Sequence, residues 1–294
     1  MARRKHKSQF LSFLTLLRRY PLLLLTTMLL GGLWYVYEVQ IARPAMAWYG
    51  LPQAQAWQPI TWTRVLRNKA FLVGWSDLRG NPLWVKYRLQ PISSKAKKLP
   101  RPQRFERDWR ALNSIGQDNY NGSGYDRGHL APNYAISRLY GLQAQLQTFL
   151  MTNITPQKPK LNRNVWQRLE AAETDVFAKR YGEVWVITGP IFDSAIERLP
   201  SSLRVEVPDA FFKILAAPTG GEHGEPIMLA FVVPQTVKGN ESLSRFVTTV
   251  NNVEKLSGFD FFPKMPQPQQ QKLETTLNPD TWRLQEIANR TGRY

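Results

Sequence analysis

The polar and apolar positions divide this chain into blocks of different period. From Tyr20 to Tyr37 the run carries no charge, unlike the one-sided stripe of an amphipathic helix. Residues 38–60, rich in Ala, Pro, Gln and Trp, read as a linker. "AFLVGWSD" and "PLWVKYRL" are apolar-aromatic runs on either side of the turn signal "RGNP", which predicts a hairpin. "SSKAKKLPRPQRFERDWR" is mostly charge and reads largely as a solvated loop. Leu142, Leu146, Phe149 and Leu150 recur at helical spacing. "MTNITPQKPKLN" reads as a polar loop. "NVWQRLEAAETDVFAKRYG" reads as a helix with the stripe Val165, Trp166, Leu169, Ala172, Val176 and Phe177, stopped by Gly182. "EVWVITG", "AFFKILAAP" and "PIMLAFVVP" predict buried strands, and "ESLSRFVTTVNNVEKLSG" a further helix stopped by Gly258. The tail from "KMPQPQQQ" onward reads as polar and loose at first. The pattern predicts an α+β domain, 51–294, behind an N-terminal segment, 1–50.

The charge-free run sharpens once length is considered. Eighteen helical residues at ~1.5 Å each span ~27 Å, close to a bilayer core. Trp34, Tyr35 and Tyr37 stand where an interfacial aromatic belt lies. Arg3, Arg4, Lys5, Lys7, Arg18 and Arg19 all precede or open the run. That asymmetry predicts one transmembrane helix through residues 20–37, N-terminus cytoplasmic and the domain exported. A signal peptide cleaved after Ala47 is the less favoured alternative. Ala45-Met46-Ala47 has the right form, but it lies ten residues beyond the apolar run.

Composition narrows the partners. Lys plus Arg number 39 against 22 Asp plus Glu, a net charge of +17. The first 47 residues hold seven cations and one acid, so the remainder keeps a surplus of +11. Such a surplus suits nucleic acid or an anionic membrane surface. The absence of Cys removes thiol nucleophiles, zinc-thiolate sites and disulfides. The oligomeric state is left open, a homodimer included.

Candidate chemistry centres on "GSGYDRGHLAP". His129 follows a Gly-rich turn and Arg127, while His6 lies in the basic head and His223 in "GGEHGEP". If the domain has a histidine general base, it is His129. No second histidine stands at i+4 from it, which excludes a helical zinc-protease motif. Downstream, Asn153, Asn162, Asn164 and Glu170 cluster around a helix start. From spacing alone Asn162 is a helix cap. The alternative is an amide oxygen on a hard cation such as Mg²⁺. Glu170, eight residues on, lies about 80° around an ideal helix and can share its side.

Together, "GSGYDRGHLAP" and "FLMTNITPQKPKLNRNVWQRLE" resemble the DNA/RNA non-specific endonucleases. "FLVGWSDLRGNPLWVKYRL", "VWVITGPIF", "VPDAFFKILAA" and "VEKLSGFDFFPKMP" extend the resemblance over roughly residues 60–265. It implies a ββα-metal (His-Me finger) fold with a mixed or antiparallel sheet, acting on DNA and RNA to leave 5′-phosphates. It implies His129 as general base, Asn162 as the protein ligand of one Mg²⁺ (Mn²⁺ being a substitute), and Glu170 orienting a water on that ion. Arg127 and Asn153 would support the site or contact substrate. Arg101, ahead of Phe105 and Asp108, would grip the scissile phosphate. In one departure, Thr174 stands where many members carry an arginine; either another arginine, Arg168 or Arg163 for example, takes its role, or leaving-group stabilisation is weaker. A catalytically weak nucleic-acid-binding or uptake protein is the alternative that Thr174 favours.

Overall fold

The computed structural model describes residues 19–219 and 225–293. The basic head, with His6, and His223 lie outside them. The described chain forms two compact units divided between Ala45 and Met46.

In the first unit, helix α1 (Pro21–Tyr37) has no buried residue, and Leu22, Leu25, Met28 and Trp34 are all exposed. It continues through a π-helical turn, Glu38–Ala42. It is long and apolar enough to cross a membrane.

The second unit begins inside the region read as a linker. Ala47 is buried in a core layer, and β1 (Gln53–Ala54) pairs with a strand near the other end of the chain. These residues are therefore part of the domain. Next come β2 (Arg64–Arg67), β3 (Phe71–Ser76) and β4 (Asn81–Leu89), the last two forming the predicted hairpin. After β5 (Asp126–His129), helix α2 (Asn133–Thr148) and β6 (Ile154–Gln157) comes a long composite helix, α3 (161–181). It alternates π-helical turns, Leu161–Trp166 and Ala172–Phe177, with α-helical ones, Gln167–Ala171 and Ala178–Tyr181, and it ends at Gly182 as expected. Strands β7 (Val184–Ile191), β8 (Arg198–Leu199), β9 (Ser202–Glu206), β10 (Ala210–Ala217), β11 (Ile227–Pro234) and β12 (Val247–Thr248) follow. Helix α4 (Val250–Ser257), β13 (Phe259–Asp260) and α5 (Gln267–Thr275) complete the elements.

Seven strands form one antiparallel sheet in the order β12-β11-β10-β7-β4-β3-β2. The central strands are apolar on both sides because both faces are covered. Alternate residues feed two cores: Phe211 and Leu215 join Trp166, Leu169 and Phe177 of α3, while Phe212 and Ile214 join Val253, Phe259 and Leu273.

Several expectations are corrected. The tail is not loose: Trp282, Leu284, Ile287 and Ala288 are buried in the α3 core, with Trp282 edge-on to Phe177 at 5.0 Å. The helix expected over 241–258 is helical only from Val250. Its first part is a 3₁₀ turn, Leu243–Phe246, and edge strand β12. In α2, Leu142 and Leu146 are exposed, and the buried side is Ala135, Ile136 and Ala144, because Gly141 breaks the helical phase. "ITPQ" is no loop but the fully buried strand β6. The "DRGH" sequence is likewise a strand, since β6 supplies its partner.

Candidate active site

Strand β5 pairs antiparallel with β6, from Asp126 opposite Gln157 to His129 opposite Ile154. Gly128 lets the Gln157 side chain pack directly on the strand: a Cβ there would lie 2.2 Å from Gln157 Oε1, and the glutamine would have to move. Beyond His129 the pairing is extended by Asn153. Its backbone oxygen accepts from Leu130 N, its Oδ1 accepts from Ala131 N at 2.9 Å, and its Nδ2 donates to Ala131 O and Thr148 O at 3.0 Å each. Asn153 is wholly buried. Its amide therefore clamps the ribbon, the supporting one of the two roles expected of it, with no exposed surface of its own.

Arg127 and His129 share one face of the strand, two residues apart. The His129 ring lies 5.4 Å from Phe105 and 4.9 Å from Phe149, nearly edge-on to the latter. Its Nε2 is buried without a hydrogen-bond partner. Burial, followed by the nearby Arg101 charge, lowers its pKa to about 3. The imidazole is therefore neutral at pH 7, able to accept a proton. Arg127 lies 5.6 Å over the Phe105 ring and donates to Asn121 Oδ1 at 2.8 Å. The segment expected to be mostly solvated is sewn to 149–151: Glu106 N donates to Phe149 O, and Met151 N to Glu106 O. Buried Asp108 accepts from Thr152 at 2.6 Å and from Arg110 at 2.7 Å. That tether brings Arg101, 5.0 Å over the Phe149 ring, toward His129.

From the other face of β5, Asp126 accepts from Asn162 Nδ2 at 2.9 Å and forms a two-bond pair with Arg163 at 2.8 and 2.7 Å. Burial alone would raise the Asp126 pKa, but these bonds hold it below the usual carboxylate range. Asn162 is not a cap. It lies within the first π-helical turn of α3, its own N–H donating to Lys158 O. With its Nδ2 held by Asp126, its amide oxygen is the group left to accept a ligand. An oxygen donor of that kind, beside carboxylates and no sulfur, fits Mg²⁺.

Glu170 is half-buried on the α-helical turn after Asn162. Burial raises its pKa to about 7. Lys213 opposes the shift, Glu173 reinforces it, and Arg293 and Arg101 oppose it. Arg101 thus acts electrostatically on both His129 and Glu170. Beneath Glu170 lies a fully buried ion pair, Lys213–Glu173 at 2.8 Å, with Tyr87 donating to Glu173 at 2.9 Å.

Thr174 is buried and its hydroxyl has no partner. Neither expected substitute is free. Arg163 is paired with Asp126, and buried Arg168 donates to the carbonyls of Arg290, Glu241 and Ala288. The cation that does approach is Arg293 from the tail. It donates to Asp175 at 2.8 Å and lies 3.5 Å over the Tyr134 ring. Sequence reasoning missed Asp126, Phe149, Tyr134 and Arg293. Asp126 stood inside the quoted motif; nothing in the sequence pointed to Arg293.

The fold is thus a seven-stranded antiparallel sheet with a separate two-stranded ribbon that sets His129 and Asp126 beside the helix bearing Asn162. The chain belongs to the DNA/RNA non-specific endonucleases, whose family model matches residues 59–267. Among named relatives, human mitochondrial endonuclease G is 29% identical over 232 residues, covering 75% of this chain and 74% of that protein. The mitochondrial nuclease of Saccharomyces cerevisiae is 30% identical over 217 residues, covering 67% and 65%. Mouse mitochondrial nuclease EXOG is 32% identical over 166 residues, and the match spans 53% of this chain and 44% of that protein. In fold, the chain is similar to a structure of the EndoG/EndoGI complex, with a TM-score of 0.62 at 24% identity, covering 75% of this chain and 91% of that one.

Proposed function

We propose that this chain is a Mg²⁺-dependent endonuclease that hydrolyses DNA and RNA to 5′-phosphate ends, tethered to a membrane by α1 with its domain exported. The observation that carries the reading is a single short strand with two differently prepared ends. At one end His129 is kept neutral against two phenyl rings; at the other Asp126 turns the Asn162 oxygen outward.

Asn162, with Glu170 nearby, would hold the ion, which supplies positive charge against the phosphoryl and leaving oxygens. His129 accepts the proton of the attacking water. A neutral imidazole does this without first losing a proton, and an approaching phosphate raises its basicity by offsetting the Arg101 field. Arg101, lying over the Phe149 ring of the Phe105–Phe149 pair, binds the scissile phosphate. Arg127 steadies that pair from the Phe105 ring. Glu170 accepts a hydrogen bond from water beside Asn162. These groups would contact the phosphodiester backbone and not base edges, so the cutting tolerates any sequence and either sugar. Thr174 supports a second reading, a nucleic-acid-binding protein with slow turnover.

Plasmid nicking by the purified protein, with Mg²⁺ and then with EDTA, tests the reading. Metal-dependent nicking separates the enzyme from the binding protein, and end-labelled RNA and DNA test the range. Protease accessibility in intact cells and spheroplasts tests the topology.

A further inference from the structure

The tail after the last buried residues is fixed in place by means the sequence does not advertise. Arg168 holds the carbonyls of Ala288 and Arg290. Gly292 presses on α3 so closely that a Cβ would lie 1.8 Å from Gln167 Oε1, the atom that accepts from Arg293 N. Arg293 then closes the tail against Asp175 and Tyr134.

This placement makes a cavity of about 330 Å³ between the tail, α3 and the 239–240 loop. Its lining includes Arg163, Asn164, Asn240, Asn289 and Arg290 over the buried Arg168, and no carboxylate. Arg290 is exposed, and its side chain makes no ion pair or hydrogen bond among the described residues. Arg163 is partly neutralised by Asp126, and Arg168 is committed to carbonyls. Arg290 is therefore the guanidinium free to bind an incoming anion, with three amides as further donors. The cavity adjoins the site directly, because Arg163 and Asn162 share the Asp126 carboxylate.

We propose that this cavity is a second phosphate subsite, in which Arg290 binds a backbone phosphate of the nucleic acid flanking the bond to be cut. The inference rests on the nuclease reading and deepens it. A site that holds only the scissile phosphate can position one group. A second, fixed phosphate contact sets the strand's direction across α3 and favours chains over single nucleotides.

The test is binding of a fluorescent single-stranded oligonucleotide to the full chain in EDTA, followed by anisotropy over a range of salt. Arg290→Glu should weaken binding roughly tenfold or more, the worth of one charge-assisted contact. It should also lower the slope of log K against log salt by about 0.7, one single-strand phosphate. Arg290→Lys should restore most of the slope. Binding of a mononucleotide should be the same in all three proteins. Unchanged affinity and slope in Arg290→Glu, with wild type binding normally, would overturn the subsite alone. An equal loss of mononucleotide binding would also overturn it, since the residue would then serve the scissile phosphate. Wild type that neither binds the oligonucleotide nor nicks plasmid would instead sink the nuclease reading.

Discussion

Asp126 and Asn162, 36 positions apart, are joined by a 2.9 Å hydrogen bond that fixes which atom of the asparagine amide faces away from the ribbon. Asp126→Ala should free the amide to rotate while leaving the strand pairing intact. Support groups of this kind typically contribute about 10–100-fold in metal affinity. The expected result is a shift of that size in the Mg²⁺ concentration for half-maximal nicking. A variant with wild-type Mg²⁺ dependence would separate Asp126 from metal binding.

His129→Ala should reduce nicking by about 10²–10⁴-fold, the usual worth of a general base, while oligonucleotide binding persists. More than about a tenth of the wild-type rate would contradict the assignment.

The same residue has a stability signature. Unfolded, His129 titrates near 6.5; folded, at about 3. Between those values the unfolded chain binds a proton that the folded one does not. Its contribution is therefore present above pH 6.5 and lost as pH falls toward 3. Glu170, raised to about 7, has the opposite sign: its contribution is present below about 4.5 and lost as pH rises through 7. The comparison of wild type with His129→Phe isolates the first group. The variant should lose less stability between pH 6.5 and 4 in urea titrations; identical pH slopes would show that His129 is not proton-poor in the fold.

Asn153→Ala removes three side-chain hydrogen bonds and leaves Ala131 N, Ala131 O and Thr148 O short of partners in a dry site. A loss of about 2–4 kcal/mol is expected, read from urea unfolding. If stability holds and only substrate affinity falls, the clamp is misassigned.

The Lys213–Glu173 pair has no exposed surface. Glu173→Leu alone should strand the ammonium and cost about 3–5 kcal/mol. Adding Lys213→Met should recover most of it, because the charge left behind is removed. Equal destabilisation by the single and double variants would count against that account.

Much of this was legible from period. Strands β3, β4, β7, β10 and β11 and the stripe of α3 announced themselves because burial on both faces of a sheet, or one face of a helix, leaves a regular apolar trace. The ribbon did not. Asp126–His129 and Ile154–Gln157 hold polar residues, a glycine and a proline, and they are strands because each completes the other's hydrogen bonds. His129 and Asn162 could be named from their motifs, but Phe149 and Asp126 serve through contacts spanning 20 and 36 residues. The last turns of the chain were least readable. Trp282, Leu284 and Ile287 are spaced too irregularly for any period, and only the completed α3 surface gives them a place.

Lys86 has consequences for where a peptidase could separate the domain from the residues before it. Its buried ammonium donates to the carbonyls of Trp48 and Gly50 at 2.7 and 2.8 Å, and burial lowers its pKa to about 7. A cut after Ala47 would strip one core residue and place a new charged amine on Trp48, beside that ammonium. A cut a few residues later would leave the ammonium without acceptors. We therefore expect a cut that leaves the domain intact to fall upstream of Trp48, and N-terminal sequencing of any released form should find Trp48 still joined to what precedes it.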